Sequence, residues 1–580
     1  MAPQPTNAIN LMPIGTYQTG VFDEGAAEIA SFDPNTNRLF VVNGNKDAID
    51  VLDLSNPTNP TLLFSIDVTP FGAGANSVDV KDGKLAVAVE AEDGTANGMA
   101  LFYQTNLSSG DRPLAEVEIG VLPDMITFTP NGEKVVVANE GEPIYDDAGN
   151  LVADPEGSVS VIDLPRSLVN IRVNLPGNLG EVGSDILTPA AVTSVGFTQF
   201  NDQQAALEAA GVRIYGPGGT VAQDLEPEYV AATNDTAWVT LQENNALAKV
   251  DLNQGRVEAI APLGYKNYNQ PGNGIDPSDE DGEIDIHQVP VLGMYQPDSI
   301  APFTTGGETY LITANEGDSR DYPGFSEEVQ VQDLTLDRTM FPNASELQRP
   351  ENLGRLEVTN SRGDTDGDGA FEQLYSYGAR SFSIWDANGN LVYDSGNSLE
   401  TIVAEEFPNN FNADNDANNS FDTRSIAKGP EPEGIATGVI SDRTYAFIGL
   451  ERIGGVAIYD ITNPVAPEFV QYTNNRNFEG NAEAGTAGDL GPEGLEFIPA
   501  ADSPNGEPLL VVTHEVSGST KIFQIQVNES QPMMMETQPN DGTTEAKTQT
   551  PVESGLFNPT WSLVGFLLLS LGAMVYRKWR

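Results

Sequence analysis

Short apolar, β-branched runs separated by Gly, Asn, Asp and Pro dominate the chain, the pattern of strands joined by tight turns. One arrangement recurs. It opens with a carboxylate, continues through a short strand, a turn and a stronger strand closed by Glu, and ends after a tight loop on a strand with an Asp-hydrophobic pair. The fullest copy is DMITFTPNGEKVVVANEGEP followed by GSVSVIDL, residues 124–164. Others are EYVAATNDTAWVTLQENNALAKVDL (228–252) and EGIATGVISDRTYAFIGLERIGGVAIYDI (433–461), with weaker copies starting at Glu28, Asn76, Asp298 and Glu493. Seven units of roughly 40–50 residues with three or four strands each predict an all-β, seven-bladed β-propeller. An array of β-sandwiches is the alternative. The propeller is expected over residues 14–527, with insertions near 165–223, 264–290, 318–378 and 405–429. The first insertion carries a predicted helix near Asp202–Ala210, capped by Asn201 or Asp202 and ended by Gly211.

Register across the repeats places an acid at the start of the first strand in six of seven units: Glu28, Asp124, Glu228, Asp298, Glu433 and Glu493, with Asn76 in the seventh. A second acid closes the second strand in six of seven: Glu90, Glu140, Glu243, Glu316, Glu451 and Glu515, with Gly44 in the gap. In a propeller the innermost strand lines the channel, and antiparallel first and second strands bring both positions to one rim. Two rings of carboxylates are therefore expected at one mouth. Neighbouring like charges raise one another's pKa or attract a cation. The alternative is that each acid accepts backbone hydrogen bonds and ties blades together.

Composition narrows the choice of cation. The 580 residues hold 85 Asp and Glu against 28 Lys and Arg, two His and no Cys, for a formal charge of −57. Disulfides, Cys-ligated metals and cysteine nucleophiles are excluded. Clustered basic residues for a phosphate backbone are lacking, which argues against nucleic acid. Oxygen-only sites suit Ca²⁺, Mg²⁺ or Mn²⁺, and Ca²⁺ tolerates irregular geometry. Several Ca²⁺ ions are the expected cofactor.

A separate motif, DTDGDGAFE, sets Asp364, Asp366, Asp368, Gly369 and Glu372 at positions 1, 3, 5, 6 and 9 of an EF-hand-like loop. Position 12 is Tyr375 and flanking helices are not evident, so the expectation is a calcium turn rather than an EF-hand. Weaker acidic groupings are Asp276, Asp279, Asp281, Glu283 and Asp285, and Asp414, Asp416 and Asp422. Arg320, Arg424, Lys428 and Arg452 stand among the acids. With bridging Ca²⁺, Arg320, Arg452 and Lys428 would bind a phosphoryl group; otherwise they offset crowded carboxylates as ion pairs. His514, beside Glu515, is the candidate general base, and His287 reads as structural.

The chain ends are read differently. WSLVGFLLLSLGAMVY followed by RKWR predicts a transmembrane or sorting helix within residues 559–580, with its basic tail cytoplasmic, after a flexible stalk over 528–558. The first eighteen residues lack a basic n-region and an apolar h-region, so an export signal is expected upstream.

NEGEP (139–143), DPEGSVSVIDL (154–164), DLEPEYVA (224–231), VTLQENNALA (239–248), YQPDSIA (295–301), TANEGDSRDY (313–322), RGDTDGDG (362–369), GARSFSIWD (378–386) and GPEPEGI (429–435) resemble the choice-of-anchor I domain family, over about residues 14–527. The resemblance implies a secreted or surface-attached propeller of the YVTN/WD40-like class, related to mesenchyme-specific cell-surface glycoproteins, with calcium or mineral handling. Bacterial relatives are often labelled alkaline phosphatase. The expected function is that of a cell-surface, calcium-binding propeller for binding, adhesion or mineral and envelope organisation. Its expected partners are metal ions, phosphate esters or extracellular polymer, on a monomer anchored through its C-terminal segment. A calcium-dependent phosphoesterase is the alternative.

Overall fold

The computed structural model describes residues 2–146, 148–164, 169–172, 183–186, 191–216 and 219–528. The predicted stalk beyond 528 and the predicted helix within 559–580 lie outside them. Seven four-stranded antiparallel sheets succeed one another along the chain. Blade one runs from Ala30–Asp33 to Thr61–Asp67, blade two from Ala75–Lys81 to Ala115–Val121, and blade three from Pro123–Phe128 to Val192–Gly196. Blade four spans Val230–Ala232 to Arg256–Pro262, blade five Ile300–Thr305 to Leu391–Asp394, and blade six Pro432–Ile440 to Glu468–Thr473. Blade seven takes Pro492–Ile498, Leu509–His514 and Ser519–Val527 and borrows its outer strand, Ile9–Gln18, from the other end of the chain. The first strand of each blade neighbours that of the next, and the first strand of blade seven neighbours that of blade one, so the ring closes.

The second and third strands are continuous apolar runs because both faces of each blade are covered. Buried residues form a separate core at each of the seven blade junctions. Blades two and three meet through Ala86, Phe102, Ile126 and Val135. Blades six and seven meet through Phe447, Ile458, Leu510 and Phe523, and blades seven and one through Val511, Ile522, Leu39 and Val41. Edges that would otherwise be exposed at the two chain ends pair with each other.

The insertions build a cap. Tyr265–Asn267 pairs with Leu292–Met294, both from the segment after blade four, and Leu292–Met294 pairs in turn with Tyr375–Ser376 from the segment inside blade five. Tyr268, Ile275, Val331, Phe341, Leu356 and Leu374 give this cap its own core. The predicted helix in the first insertion forms over Gln204–Ala210 and ends at Gly211, whose φ of +113° lets its N–H reach the carbonyls of Leu207 and Glu208. Its predicted cap is a correction. A short 3-10 turn, Thr198–Gln203, precedes the helix, and Asn201 Oδ1 accepts from Ala222 N (2.9 Å) in a different helical turn.

Candidate functional site

Five of the seven inner strands are entered through Pro, an acid, any residue and an apolar residue: PDMI at 123, PEYV at 227, PDSI at 297, PEGI at 432 and PEGL at 492. In blades three, six and seven the pairing register shifts between this Pro and the apolar residue, opposite the end of the second strand. A bulge there re-aims one side chain, and Pro tolerates it because it has no N–H to lose. Asp124, Glu433 and Glu493 are the re-aimed residues. Across the bulge the second strand ends at Asn139, Leu450 and His514, each followed at once by Glu140, Glu451 and Glu515.

The two sets converge electrostatically. Glu28 is pushed well up by burial and by Glu515 and Asp124. Glu228 is raised by burial and by Glu243, Asp298, Asp124 and Asp318. Burial raises Glu433 and Glu493, with Glu451 adding most to the first and Glu515 to the second. Asp298 follows burial and Glu316, with Lys428 opposing. Glu451 rises to about 8 through burial, with Arg452 opposing, and burial also raises Glu515 and Glu316. Glu140 is buried, and Glu90 is held by its backbone through Gly74 O and Ala73 N. The outer oxygens Oε2 of Glu228 and Glu243 are buried without a hydrogen-bond partner.

On the arc between blades five and six the carboxylates meet cations. Glu316, Glu431 and Glu451 bring oxygens within 4.8 Å of one another. Glu431 is fully buried and takes Arg424 (2.7 Å), Arg452 (3.0 Å) and Lys428 (3.5 Å), which together hold it well below the usual carboxylate range. Lys428 also pairs with Glu316 and donates to Gly317 O (2.7 Å), and Arg452 reaches Glu451 (3.0 Å). Arg320 is 1% exposed and saturated by Asp224 (2.9 Å), Glu226 (3.0 Å) and the Asp224 carbonyl (2.7 Å). The small cleft beside it is lined by Asp154, Asp224 and Glu226 among others. Of the two expectations for Arg320, Arg452 and Lys428, the geometry shows the ion pairs: each neutralises carboxylates, and acids line the space beside Arg320. His514, the candidate general base, lies on the other side of its strand. Alternation along its strand turns it away from Glu515, and its ring is buried beside Asp489 and Lys521, with burial lowering its pKa.

The turn at 364–372 folds as its spacing requires. Asp364 accepts from Gly367 N (2.7 Å) and Gly369 N (2.9 Å), Asp366 from Asp368 N (3.2 Å), and Asp368 from Ala370 N (2.8 Å). Glu372 closes the loop onto Thr365 N (2.6 Å) and its hydroxyl (2.7 Å). Gly369 sits at φ +90°, where a glycine is needed for the sharp turn. The four carboxylates offer oxygens within 4.8 Å of one another at the surface. Tyr375 is buried and its hydroxyl donates to Gln373 (2.5 Å), so position 12 supplies no carboxylate.

The other acidic groupings scatter. Asp279 pairs with Arg355 (2.7 Å) and Asp285 with His287 (3.3 Å), Asp281 is half-buried, Glu283 is exposed, and Asp276 is buried. Asp414 faces Arg452 (3.6 Å), burial and Asp414 raise Asp416, and Asp422 is buried. Sequence reasoning missed Glu431, although GPEPEG places it two residues before Glu433. It also missed Asp224 and Glu226, which lie beside Glu228 in DLEPE.

Comparison with known proteins follows the same lines. A family model described as choice-of-anchor I domain matches residues 28–464. Gigasin-3a of Magallana gigas is 31% identical over 191 residues, which cover 31% of this chain and 67% of that protein. Mesenchyme-specific cell surface glycoprotein of Strongylocentrotus purpuratus is 28% identical over 239 residues, 35% of this chain and 30% of that protein. The chain thus spans less than a third of that second relative. Among solved structures, Kuenenia stuttgartiensis hydrazine synthase superposes with a TM-score of 0.41 at 12% identity, covering 88% of this chain and 100% of that one. A streptogramin B lyase gives 0.39 at 12% identity, covering 90% and 98%. Among the described residues no helix is long and apolar enough to cross a membrane.

Proposed function

The chain belongs to the choice-of-anchor I domain family, and from that premise we propose a surface-displayed, calcium-binding β-propeller that acts as a binding module for extracellular polymer or mineral. The observation that carries it is the 364–372 turn, where four carboxylates share one small space and five backbone N–H groups fix their outer oxygens. Asp364, Asp366, Asp368 and Glu372 would hold Ca²⁺, which supplies charge neutralisation and a point of attachment for an anionic ligand. Affinity in the range of extracellular modules, roughly 10⁻⁴–10⁻³ M, suits an exposed site of this ligand count. One of the relatives is a cell surface glycoprotein by name, in keeping with surface display. The apolar segment within 559–580 is the anchor in this reading.

The channel mouth is the second cation-attracting surface of the same proposal. Its ligands would come from Asp124, Glu140, Glu228, Glu243, Asp298, Glu433, Glu493 and Glu515, with Glu316 and Glu451 already facing internal cations. Binding is preferred over phosphoester hydrolysis because the candidate phosphoryl-binding cations are paired with carboxylates. Calorimetric titration with Ca²⁺ tests the turn. Wild-type protein should show a sub-millimolar to millimolar site that Asp366→Asn weakens at least tenfold. Identical isotherms for the two proteins would overturn the assignment.

A further inference from the structure

The segments flanking blade five meet at a buried cluster drawn from three separate stretches. Asp276 comes from the insertion after blade four, Glu400 from the helix Ser398–Glu406, and Asn412 and Asp422 from the loop leading to blade six. None of the four is more than 1% exposed. Glu400 Oε1 is well served: Arg380 Nη1 donates to it (2.9 Å), as do Asn412 Nδ2 (3.0 Å) and Asp276 N (3.3 Å). Asn412 Nδ2 also donates to Ser425 Oγ (2.8 Å), whose hydroxyl donates to Asp422 Oδ1 (2.5 Å). Asp276 Oδ2 accepts from Asp285 N (2.7 Å). The remaining guanidinium hydrogens of Arg380 go to the carbonyls of Asp276, Ser425 and Ala427.

What this network leaves over is one-sided. Glu400 Oε2, Asn412 Oδ1 and Asp422 Oδ2 are all buried with no hydrogen-bond partner. They are three acceptors, and each sits on a residue whose other polar atom is already fixed in place by the same network. Buried polar atoms are normally satisfied, and an orphan of this kind calls for a partner. The charge is equally one-sided: three carboxylates face one guanidinium. A hard divalent cation supplies both missing quantities, because it needs only oxygen acceptors and brings two positive charges. The uncharged amide oxygen of Asn412 is a separate observation from the acidity, and a carbonyl of this kind is a regular ligand of Ca²⁺.

We propose that a calcium ion bound by Glu400, Asn412 and Asp422 clamps the helix before blade six and the 409–425 loop into one unit, with the cap insertion tied to it through Asp276 N on Glu400 Oε1. This site is distinct from the surface turn at 364–372 and does not rest on it. Burial gives it slow exchange, so its ion is structural where the turn's is exchangeable. Burial and the neighbouring acids push Asp276 up to about 8 and Asp422 up to about 7, which is the cost a bound cation removes. Shared protons are the competing solution.

The test is native mass spectrometry of the full chain after prolonged dialysis against EGTA at pH 7.5. One calcium should remain per chain in the wild type and in Asp366→Asn, and be absent in Asp422→Asn. A chain that retains no divalent ion, or loses it in Asp366→Asn but not in Asp422→Asn, would overturn the site. If Asp422→Asn fails to fold, hydrogen exchange on wild-type protein unfolded and refolded in EGTA gives the answer. Exchange at 275–287 and 409–425 should rise and return to its original level when CaCl₂ is added. Unchanged exchange in both segments would mean that protons, not a cation, satisfy the cluster.

Discussion

The rim around Glu431 and the rim around Glu228 share a mouth and reach opposite electrostatic states. Glu431 takes three cations and is held below the usual carboxylate range. Glu228 is raised by burial and by four other acids, and no cation figures among its perturbing groups. The repeated blade device delivers carboxylates evenly around the ring, whereas the basic residues come from the segment before blade six and from the Glu451-Arg452 pair. One arc is thus balanced from within, and in the proposed reading the other is balanced by what it binds. Buried charge without a partner is strongly destabilising, so the cation-poor arc is where ligand and proton binding should register.

The largest break in this contrast should come from Glu431→Ala. Removing the acid leaves Arg424, Lys428 and Arg452 crowded together, and denaturant unfolding should show a loss of about 3–5 kcal/mol. Glu228→Gln should act in the opposite sense in EGTA, stabilising the protein by on the order of 1–3 kcal/mol because a neutral amide replaces a carboxylate among carboxylates. Loss of stability comparable to that of Glu431→Ala would show that the two arcs are alike.

Acidity sharpens the same distinction. Burial and Asp79 raise Glu496 to about 8, and burial and Glu328 raise Glu357 to about 7, from the ordinary carboxylate value of 4.5. Each binds its proton more tightly in the folded chain than in the unfolded one. Their contribution is therefore full below pH 4.5 and lost as pH rises toward 7 and 8. Calcium-free protein should lose on the order of 2 kcal/mol between pH 6.5 and pH 8 from these two groups. A thermal-melting series that rises across that interval would contradict the raised values. The smallest effect belongs to Asp366→Asn in EGTA, an exposed change expected to stay within about 0.5 kcal/mol of wild type by denaturant unfolding while its calcium response is weakened.

The blade count was readable because each blade repeats its own local grammar: an acid, a strand, a turn and a buried strand. The calcium-like turn was readable because its ligands, glycine and spacing all lie within nine residues. Three features escaped. The pairing of Ile9–Gln18 with Ser519–Val527 joins opposite chain ends, and no local periodicity marks it. The role of Glu431 depends on Arg424 and Lys428 folding back onto it, which a repeat alignment cannot show because blade six alone carries them. The Asp276–Glu400–Asn412–Asp422 cluster gathers single residues from distant stretches. Two of its members had registered only as parts of weaker acidic runs, most of whose other members face solvent or salt-bridge partners.

The strand exchange between the two ends has a consequence for how the molecule comes into being. Gln18 pairs with Ser519 and Ile9 with Val527, so a strand synthesised before all seven blades must wait for the last of them before its edge is covered. During that interval a ten-residue strand with exposed hydrogen-bonding groups is available to other chains. Closure is a late, long-range step that carries its loop entropy all at once. A circular permutant opened at the loop between blades two and three would turn that pairing into a local hairpin and should fold faster to the same ring.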